Sequence, residues 1–252
     1  MNNIILVTGA TSGFGKAIAE KFAANNWNCI ITGRRKEKLF SFADELKNKY
    51  NIKVLPLVFD VQKRKEVFDA LNDLPQEWKA IDVLVNNAGL ALGRDSFENA
   101  NLDDWDTMLD TNVKGLMYVS KAIVPYMIEK KQGQIINIGS IAGKEVYQYG
   151  NGYCASKHAV DAISKGMRID LLSKNIKVTA IHPGAAETEF SLVRFKGDTD
   201  KAASVYQGFI PLYAQDIANI VYYAATLPPS VCINELTVMP TAQANAYLFH
   251  KE

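Results

Sequence analysis

The stretch Ile4-Ile5-Leu6-Val7-Thr8-Gly9-Ala10-Thr11-Ser12-Gly13-Phe14-Gly15 decides how the rest of the chain is read. Four apolar, largely β-branched residues form a buried strand, three glycines follow within seven positions, and a helical pattern begins at Gly15. A turn without side chains lets a phosphate approach the backbone and the positive end of the helix behind it. The spacing G-x-x-x-G-x-G departs from the commoner G-x-G-x-x-G, and no Gly-Lys-[Ser/Thr] follows to make a P-loop. A glycine-rich turn with no ligand remains the alternative, and the surrounding pattern decides against it.

Working outward, short strands alternate with longer helices. Ile4–Thr8, Cys29–Thr32, Val54–Phe59, Val83–Asn86, Gln134–Gly139, Val178–His182 and Glu235–Met239 read as strands. Helical periods fall near Gly15–Ala24, Lys36–Lys47, Lys63–Leu71, Leu102–Lys131, Tyr153–Ser173 and Ala214–Thr226. Pro125 interrupts the fourth and is the expected place of a bend or break. Strands apolar at nearly every position suit a parallel sheet covered on both faces. The rhythm gives an α/β chain with a doubly wound parallel sheet, and no repeat or linker splits it. An irregular insertion is expected at about 187–208, of mixed charge and no steady period.

Composition excludes several classes of function. The 252 residues are 48% hydrophobic and 22% charged, with 28 Lys+Arg against 27 Asp+Glu for a net charge of +1. A nucleic-acid or anionic-membrane partner usually demands a basic excess. Cys29, Cys154 and Cys232 are odd in number and far apart, which argues against a disulfide framework or thiolate zinc site and for a reducing compartment. The three histidines have no partner at metal-ligand spacing, so no metal is expected. Without an apolar run of ~18–20 residues or a basic secretory leader, a cytoplasmic protein is expected.

The second strand ends at Thr32-Gly33-Arg34-Arg35. Dinucleotide folds that take NAD normally place Asp or Glu about 20 residues beyond the glycines, for the ribose hydroxyls. Arg34 stands there instead, and a guanidinium suits a 2′-phosphate, which points to NADP. Asp60, before Val61, is either an acceptor for the adenine amino group or a helix cap. Tyr153 and Lys157 share a helix face at i, i+4, so an ammonium stands one turn from a phenol that is otherwise a poor base. Ser140, at the end of the preceding strand, either polarises a carbonyl from the opposite side or caps a turn.

Taken together, Thr8–Gly15, Asn86-Asn87-Ala88-Gly89, Asn112, Ser140, Tyr153, Lys157 and Pro183-Gly184 resemble the short-chain dehydrogenase/reductase family in order and spacing, from the first strand to the last. The resemblance implies a single Rossmann domain over residues 1–252, with a substrate lid at about 187–208, a nicotinamide cofactor and an Asn-Ser-Tyr-Lys catalytic tetrad. Tyr153 is then the general acid/base and Ser140 orients the substrate oxygen. Lys157 lowers the tyrosine pKa and holds the nicotinamide ribose, and Asn112 holds a relay water. The cofactor site it implies comprises Gly9, Thr11, Ser12, Gly13, Phe14, Gly15, Arg34, Arg35, Asp60, Val61, Asn87, Ala88, Gly89, Tyr153, Lys157, Pro183, Gly184 and Thr188. Ser12 leaves the glycine loop without the second cation some members carry there, and Arg35 is the candidate to compensate.

Asn86–Gly93, Asp104-Trp105 and Thr188–Asp198 are similar to the NADP-dependent 3-hydroxy acid dehydrogenases, including serine and allo-threonine dehydrogenases and malonic semialdehyde reductases. That likeness implies hydride transfer at C3 of small 3-hydroxy acids. Ser140, Gln148, Asn151, Tyr153 and Arg194 would line the substrate pocket, although Arg194 is equally readable as a surface charge. It also implies a homotetramer through the helices near Asn112–Lys131 and Tyr153–Ser173. The alternatives are a reductase of 3-oxoacyl thioesters, sugars or hydrophobic ketones, which needs the same tetrad, and a non-catalytic NADP-binding sensor or scaffold, which needs no tetrad.

Overall fold

A computed structural model describes residues 2–252. Along the chain run β1 (Ile4–Val7), α1 (Gly13–Ala23), β2 (Asn28–Gly33), α2 (Lys36–Tyr50), β3 (Val54–Val58), α3 (Arg64–Asn72) and β4 (Val83–Asn86). Then come α4 (Leu102–Leu109), α5 (Leu116–Lys130), β5 (Gly133–Ile138), α6 (Asn151–Leu171) and β6 (Ile176–Pro183). Last are β7 (Ala186–Glu187), α7 (Glu189–Arg194), α8 (Thr199–Ser204), β8 (Leu212–Tyr213), α9 (Ala214–Ala225) and β9 (Glu235–Val238). Seven strands form one parallel sheet in the order β3-β2-β1-β4-β5-β6-β9. This is the doubly wound sheet the alternating pattern implied.

The two faces of the sheet explain why Ile4-Ile5-Leu6-Val7 carries no polar residue. Successive side chains in a strand point to opposite faces. Ile5 and Val7 enter a core with Ile18 and Phe22 of α1 and Ile217 and Val221 of α9. Ile4 and Leu6 enter a second core with Val67 and Leu71 of α3 and Val119 and Ile123 of α5. All four strand residues are buried, and each side chain contributes about 1.5–3 kcal/mol of apolar transfer energy. The strand order reverses beside β1, between β2 and β4, so the loops after β1 and β4 diverge and leave a crevice at the carboxyl edge of the sheet.

Two expectations are corrected. The pattern over Leu102–Lys131 is not one helix bent at Pro125. Pro125 lies inside α5, which continues to Lys130, and the interruption is a π-helical turn at Asp110–Gly115. The wider turn brings Asn112 to the loop after β4, where its Oδ1 accepts from Leu90 N at 2.8 Å and its Nδ2 donates to Leu90 O at 2.8 Å. π turns of this kind are common at functional sites. The 187–208 segment is not irregular either: it holds α7 and α8, each six residues long and too short to show a period. Thr188 and Asp198 cap them, accepting from Phe190 N and Lys201 N. The ends of the segment are tied by a parallel β7–β8 pair, Ala186 opposite Leu212 and Glu187 opposite Tyr213. Among the described residues no helix is long and apolar enough to cross a membrane.

Candidate active site

A cavity of about 1140 Å³ opens at the carboxyl edge of the sheet. The glycine loop forms its floor, and each glycine has its own reason. Gly9 and Gly13 take φ of 67° and 52°, the left-handed region that side chains rarely adopt. At Gly15 a Cβ would lie 2.3 Å from Gly9 O and 2.4 Å from Asn87 Nδ2. Gly15 therefore packs behind the loop rather than facing the cavity. Asn87 secures the same turn: its Nδ2 donates to Thr8 O at 2.8 Å, while Thr8 Oγ1 accepts from Asn87 N and Ala88 N at 3.0 and 2.9 Å. The result is a side-chain-free cradle at the N-terminus of α1, which has no acidic residue in its first turn. Those properties fit a pyrophosphate.

The basic residues after β2 are arranged differently from the sequence expectation. Arg34 points to Asp60, with Nη1 3.4 Å from Oδ2. Arg35 is the residue set on the glycine loop, donating from Nη2 to Thr11 Oγ1 and Ser12 Oγ at 2.8 Å each. Its Nη1 also reaches Glu189 Oε2 of α7 at 3.0 Å. Burial raises the Glu189 carboxyl pKa, but the Arg35 guanidinium outweighs it and holds the group below the ordinary carboxylate value. Both arginines line the cavity, so two guanidiniums are available there to an anionic group. Asp60 does not cap α3, whose N-cap is Lys63; its Oδ1 accepts from Gln62 N in the turn before the helix.

The tetrad residues converge at the other end of the crevice. β5 leads into Ser140, whose Oγ accepts from Ala142 N at 3.1 Å and lies close enough to the Tyr153 phenol to lower its pKa. Tyr153 and Lys157 project from the first turns of α6 and are almost completely buried. Lys157 Nζ donates to Ile138 O at 2.9 Å. Gly89 leaves the approach open, since a Cβ there would meet Asn112 Oδ1 at 3.1 Å and Lys157 Nζ at 3.6 Å. Asn112 itself is behind the cavity wall, bonded to Leu90 and to Ser156 Oγ.

Burial dominates the electrostatics. It lowers Lys157 to about 8 and pushes the Tyr153 phenol above its ordinary value. Tyr147 adds to the tyrosine's rise, while the Ser140 hydroxyl and the Arg194 guanidinium oppose it. Lys157 Nζ lies 5.9 Å from the Tyr153 ring centroid, with its hydrogen bond directed to the Ile138 carbonyl.

Arg194, at the end of α7, is no surface charge. Its guanidinium lies 5.6 Å from the ring centroids of both Tyr153 and Tyr147, and its Nη2 donates to Tyr147 Oη at 3.0 Å. Gln148 also lines the cavity, as do Val61, Ala88, Pro183, Gly184 and Thr188. Asn151 does not, which corrects the expectation. Its Oδ1 accepts from Trp105 Nε1 at 3.0 Å and its Nδ2 donates to Asp95 O at 3.3 Å, so it ties the start of α6 to α4 and away from the pocket.

Several lining residues went unnoticed in the sequence. Tyr147 and Phe190 flank the Tyr153 ring, Arg94 lies 5.9 Å from the Tyr147 centroid, and Tyr247, Leu248 and Phe249 close one wall. The three consecutive apolar residues near the C-terminus were the one available signal.

Residues 3–197 match the short chain dehydrogenase family. The chain is 46% identical to NADP-dependent 3-hydroxy acid dehydrogenase YdfG of Escherichia coli K12, over 97% of this chain and 98% of that protein. It is 44% identical to sulfoacetaldehyde reductase 2 of Chromohalobacter salexigens, over 97% and 96%. The solved closed form of serine dehydrogenase complexed with NADP+ superposes with a TM-score of 0.92 at 46% identity, covering 99% of this chain and all of that one. With this sheet, this glycine cradle and these likenesses, the chain belongs to the short-chain dehydrogenase family of oxidoreductases.

Proposed function

We propose that the protein transfers a hydride between NADP(H) and C3 of small 3-hydroxy acids or the corresponding semialdehydes. The observation that carries this reading is the Arg194 guanidinium 5.6 Å from the Tyr153 ring, a fixed cation beside the phenol that handles the reacting oxygen. In a short 3-hydroxy acid the carboxylate stands only two bonds from the hydroxyl carbon, so a cation beside the phenol is within reach of it. The names of the enzymes from Escherichia coli and Chromohalobacter salexigens support the same class, a carbonyl close to an acidic group. The sulfonate of the second suits the same guanidinium.

NADP(H), when bound, supplies or accepts the hydride. The glycine cradle would hold its pyrophosphate, Arg35 and Arg34 would bind the 2′-phosphate, and Thr188 would serve the carboxamide. Tyr153 delivers a proton to the substrate oxygen in reduction and removes it in oxidation, while Ser140 donates to that oxygen and orients it. Lys157 binds the ribose hydroxyls, and its charge then favours the phenolate. Asn112, through the π turn, holds the Leu90 backbone in place beside it. The 187–208 segment acts as the substrate lid of this single domain, fastened through Arg35 and Glu189.

The exposed Met117 and Ile128 of α5, Ile169 of α6 and Leu172 just beyond it support a homotetramer built on these two helices, which light scattering tests. The balanced charge and cysteine usage support a cytoplasmic location. The function is tested by NADPH oxidation with a panel of C3–C5 semialdehydes, sulfoacetaldehyde, acyl thioesters and uncharged ketones. Preference for the anionic aldehydes, and for NADPH over NADH, is expected; preference for uncharged ketones overturns the reading.

A further inference from the structure

His182 is the penultimate residue of β6, beside Pro183, and its side chain is completely buried. The parallel register of β5 and β6, Ile138 opposite Ile181, lays the imidazole against Gly139 and Ser140. Its Nδ1 lies 3.3 Å from Ser140 O. A Cβ on Gly139 would come within 2.5 Å of that nitrogen, so the glycine is what admits the ring. The other edge faces a cluster from three further elements. Nε2 has no hydrogen-bond partner and looks toward Asp161 Oδ1 at 3.6 Å. Asp161 continues the α6 stripe of Tyr153 and Lys157 by one more turn. Lys144, from the loop after Ser140, donates to Asp161 Oδ1 at 2.8 Å and to Glu235 Oε2 of β9 at 2.7 Å. Lys165 holds the second Asp161 oxygen at 2.8 Å.

Each ring nitrogen thus faces an acceptor, the Ser140 carbonyl on one side and the Asp161 carboxylate on the other. A neutral imidazole has one N–H and satisfies one of them. The two lysines already serve Asp161, and the Lys144 ammonium fills the space between the two carboxylates that a metal ion would need. The Ser140 carbonyl has the shorter approach. Burial and then Lys144 keep the ring's pKa below the ordinary histidine value, against the pull of Asp161, the Ser140 carbonyl and Glu235.

We propose that His182 is a positioning residue for Ser140: a neutral imidazole protonated at Nδ1 donates to the Ser140 carbonyl and fixes the residue whose hydroxyl meets Tyr153. The Lys144–Asp161–Glu235 cluster favours this tautomer because both Asp161 oxygens already accept from lysines and Oδ1 stands 3.6 Å from Nε2, beyond hydrogen-bond reach. The inference rests on the proposed roles of Ser140 and Tyr153.

Two variants and one spectroscopic measurement test it. His182→Asn keeps an N–H near the Nδ1 position, and His182→Leu removes both nitrogens. With the best substrate of the wild-type protein, His182→Asn should keep kcat within about threefold, whereas His182→Leu should lose tenfold or more, roughly the scale of a misplaced active-site group. NADPH affinity by fluorescence should stay unchanged in both. Nitrogen-15 NMR of the wild-type protein at neutral pH should show the His182 ring protonated at Nδ1 only, assigned by the signal lost in His182→Asn. An Nε2–H tautomer, an imidazolium, an unchanged kcat in His182→Leu, or equal losses in both variants overturns the proposal. Should His182→Leu fail to fold, the tautomer and the asparagine variant still decide. Should the wild-type protein reduce none of the aldehydes, the proposed function fails while the NMR result still decides the tautomer.

Discussion

Lys157→Met removes a buried ammonium from the centre of the site, and its effect on stability follows from the structure. Burial lowers Lys157 from the ordinary lysine value to about 8 in the folded protein. The unfolded chain keeps about 10.4, a difference of about 3 kcal/mol at 1.36 kcal/mol per pKa unit. The sign follows from proton linkage. Below about pH 8 both states carry the proton and the group adds no pH dependence. Between there and about pH 10.4 the unfolded state binds more protons than the folded one, so stability rises with pH. From about pH 7 to about pH 9.5 the wild-type protein should gain about 2 kcal/mol relative to Lys157→Met.

The variant also loses the 2.9 Å bond to Ile138 O, but that loss does not vary over this range and leaves the slope intact. Urea denaturation of both proteins at equal concentration, without cofactor, measures it: with an m of about 3 kcal/mol/M, the gap between midpoints should move by about 0.7 M. A gap that stays constant with pH, or moves the other way, refutes the claim that Lys157 is held against its charge in the free protein.

Arg35→Ala should weaken NADPH binding by about tenfold to a hundredfold while leaving NADH little changed, because it removes a charge-assisted phosphate contact; equal losses for both in a fluorescence titration contradict the assignment. Gly15→Ala should abolish NADPH binding yet leave the far-ultraviolet circular dichroism near native, since its Cβ would sit 2.3 Å from Gly9 O and push the loop into the cradle. Arg194→Ala should lower kcat/KM for anionic aldehydes by about a hundredfold and leave an uncharged aldehyde within about threefold, the scale of one charged hydrogen bond; a uniform loss would make Arg194 a packing residue.

Features written in local pattern were legible in the chain. Ile4–Val7 is apolar at every position because both faces of β1 are covered, and the three glycines of the first loop recur where φ or close contact demands them. The i, i+4 pair Tyr153–Lys157 needed only helix geometry. What the chain concealed depends on contacts between distant elements. Whether Arg34 or Arg35 meets the glycine loop turns on side-chain direction after β2. The π turn at Asp110–Gly115 is stabilised by Leu90 and Ser156, neither of them a neighbour in sequence. Asn151 looked like a pocket residue from its proximity to Tyr153, yet Trp105, 46 positions away, takes its side chain. The wall formed by Tyr247–Phe249 has no periodicity to announce it.

The central claim is that the Tyr153 phenol carries the proton to a substrate oxygen in a site that also binds NADPH. Tyr153→Phe removes one hydroxyl from a buried ring and keeps the packing against Phe190. With a small anionic semialdehyde, NADPH oxidation should fall by about 10²–10⁴-fold, the range of general acid–base catalysis. NADPH affinity should stay within about threefold of wild type, because the glycine cradle and Arg35 are untouched. Retained turnover, or a loss of NADPH binding in parallel with the loss of rate, would contradict it.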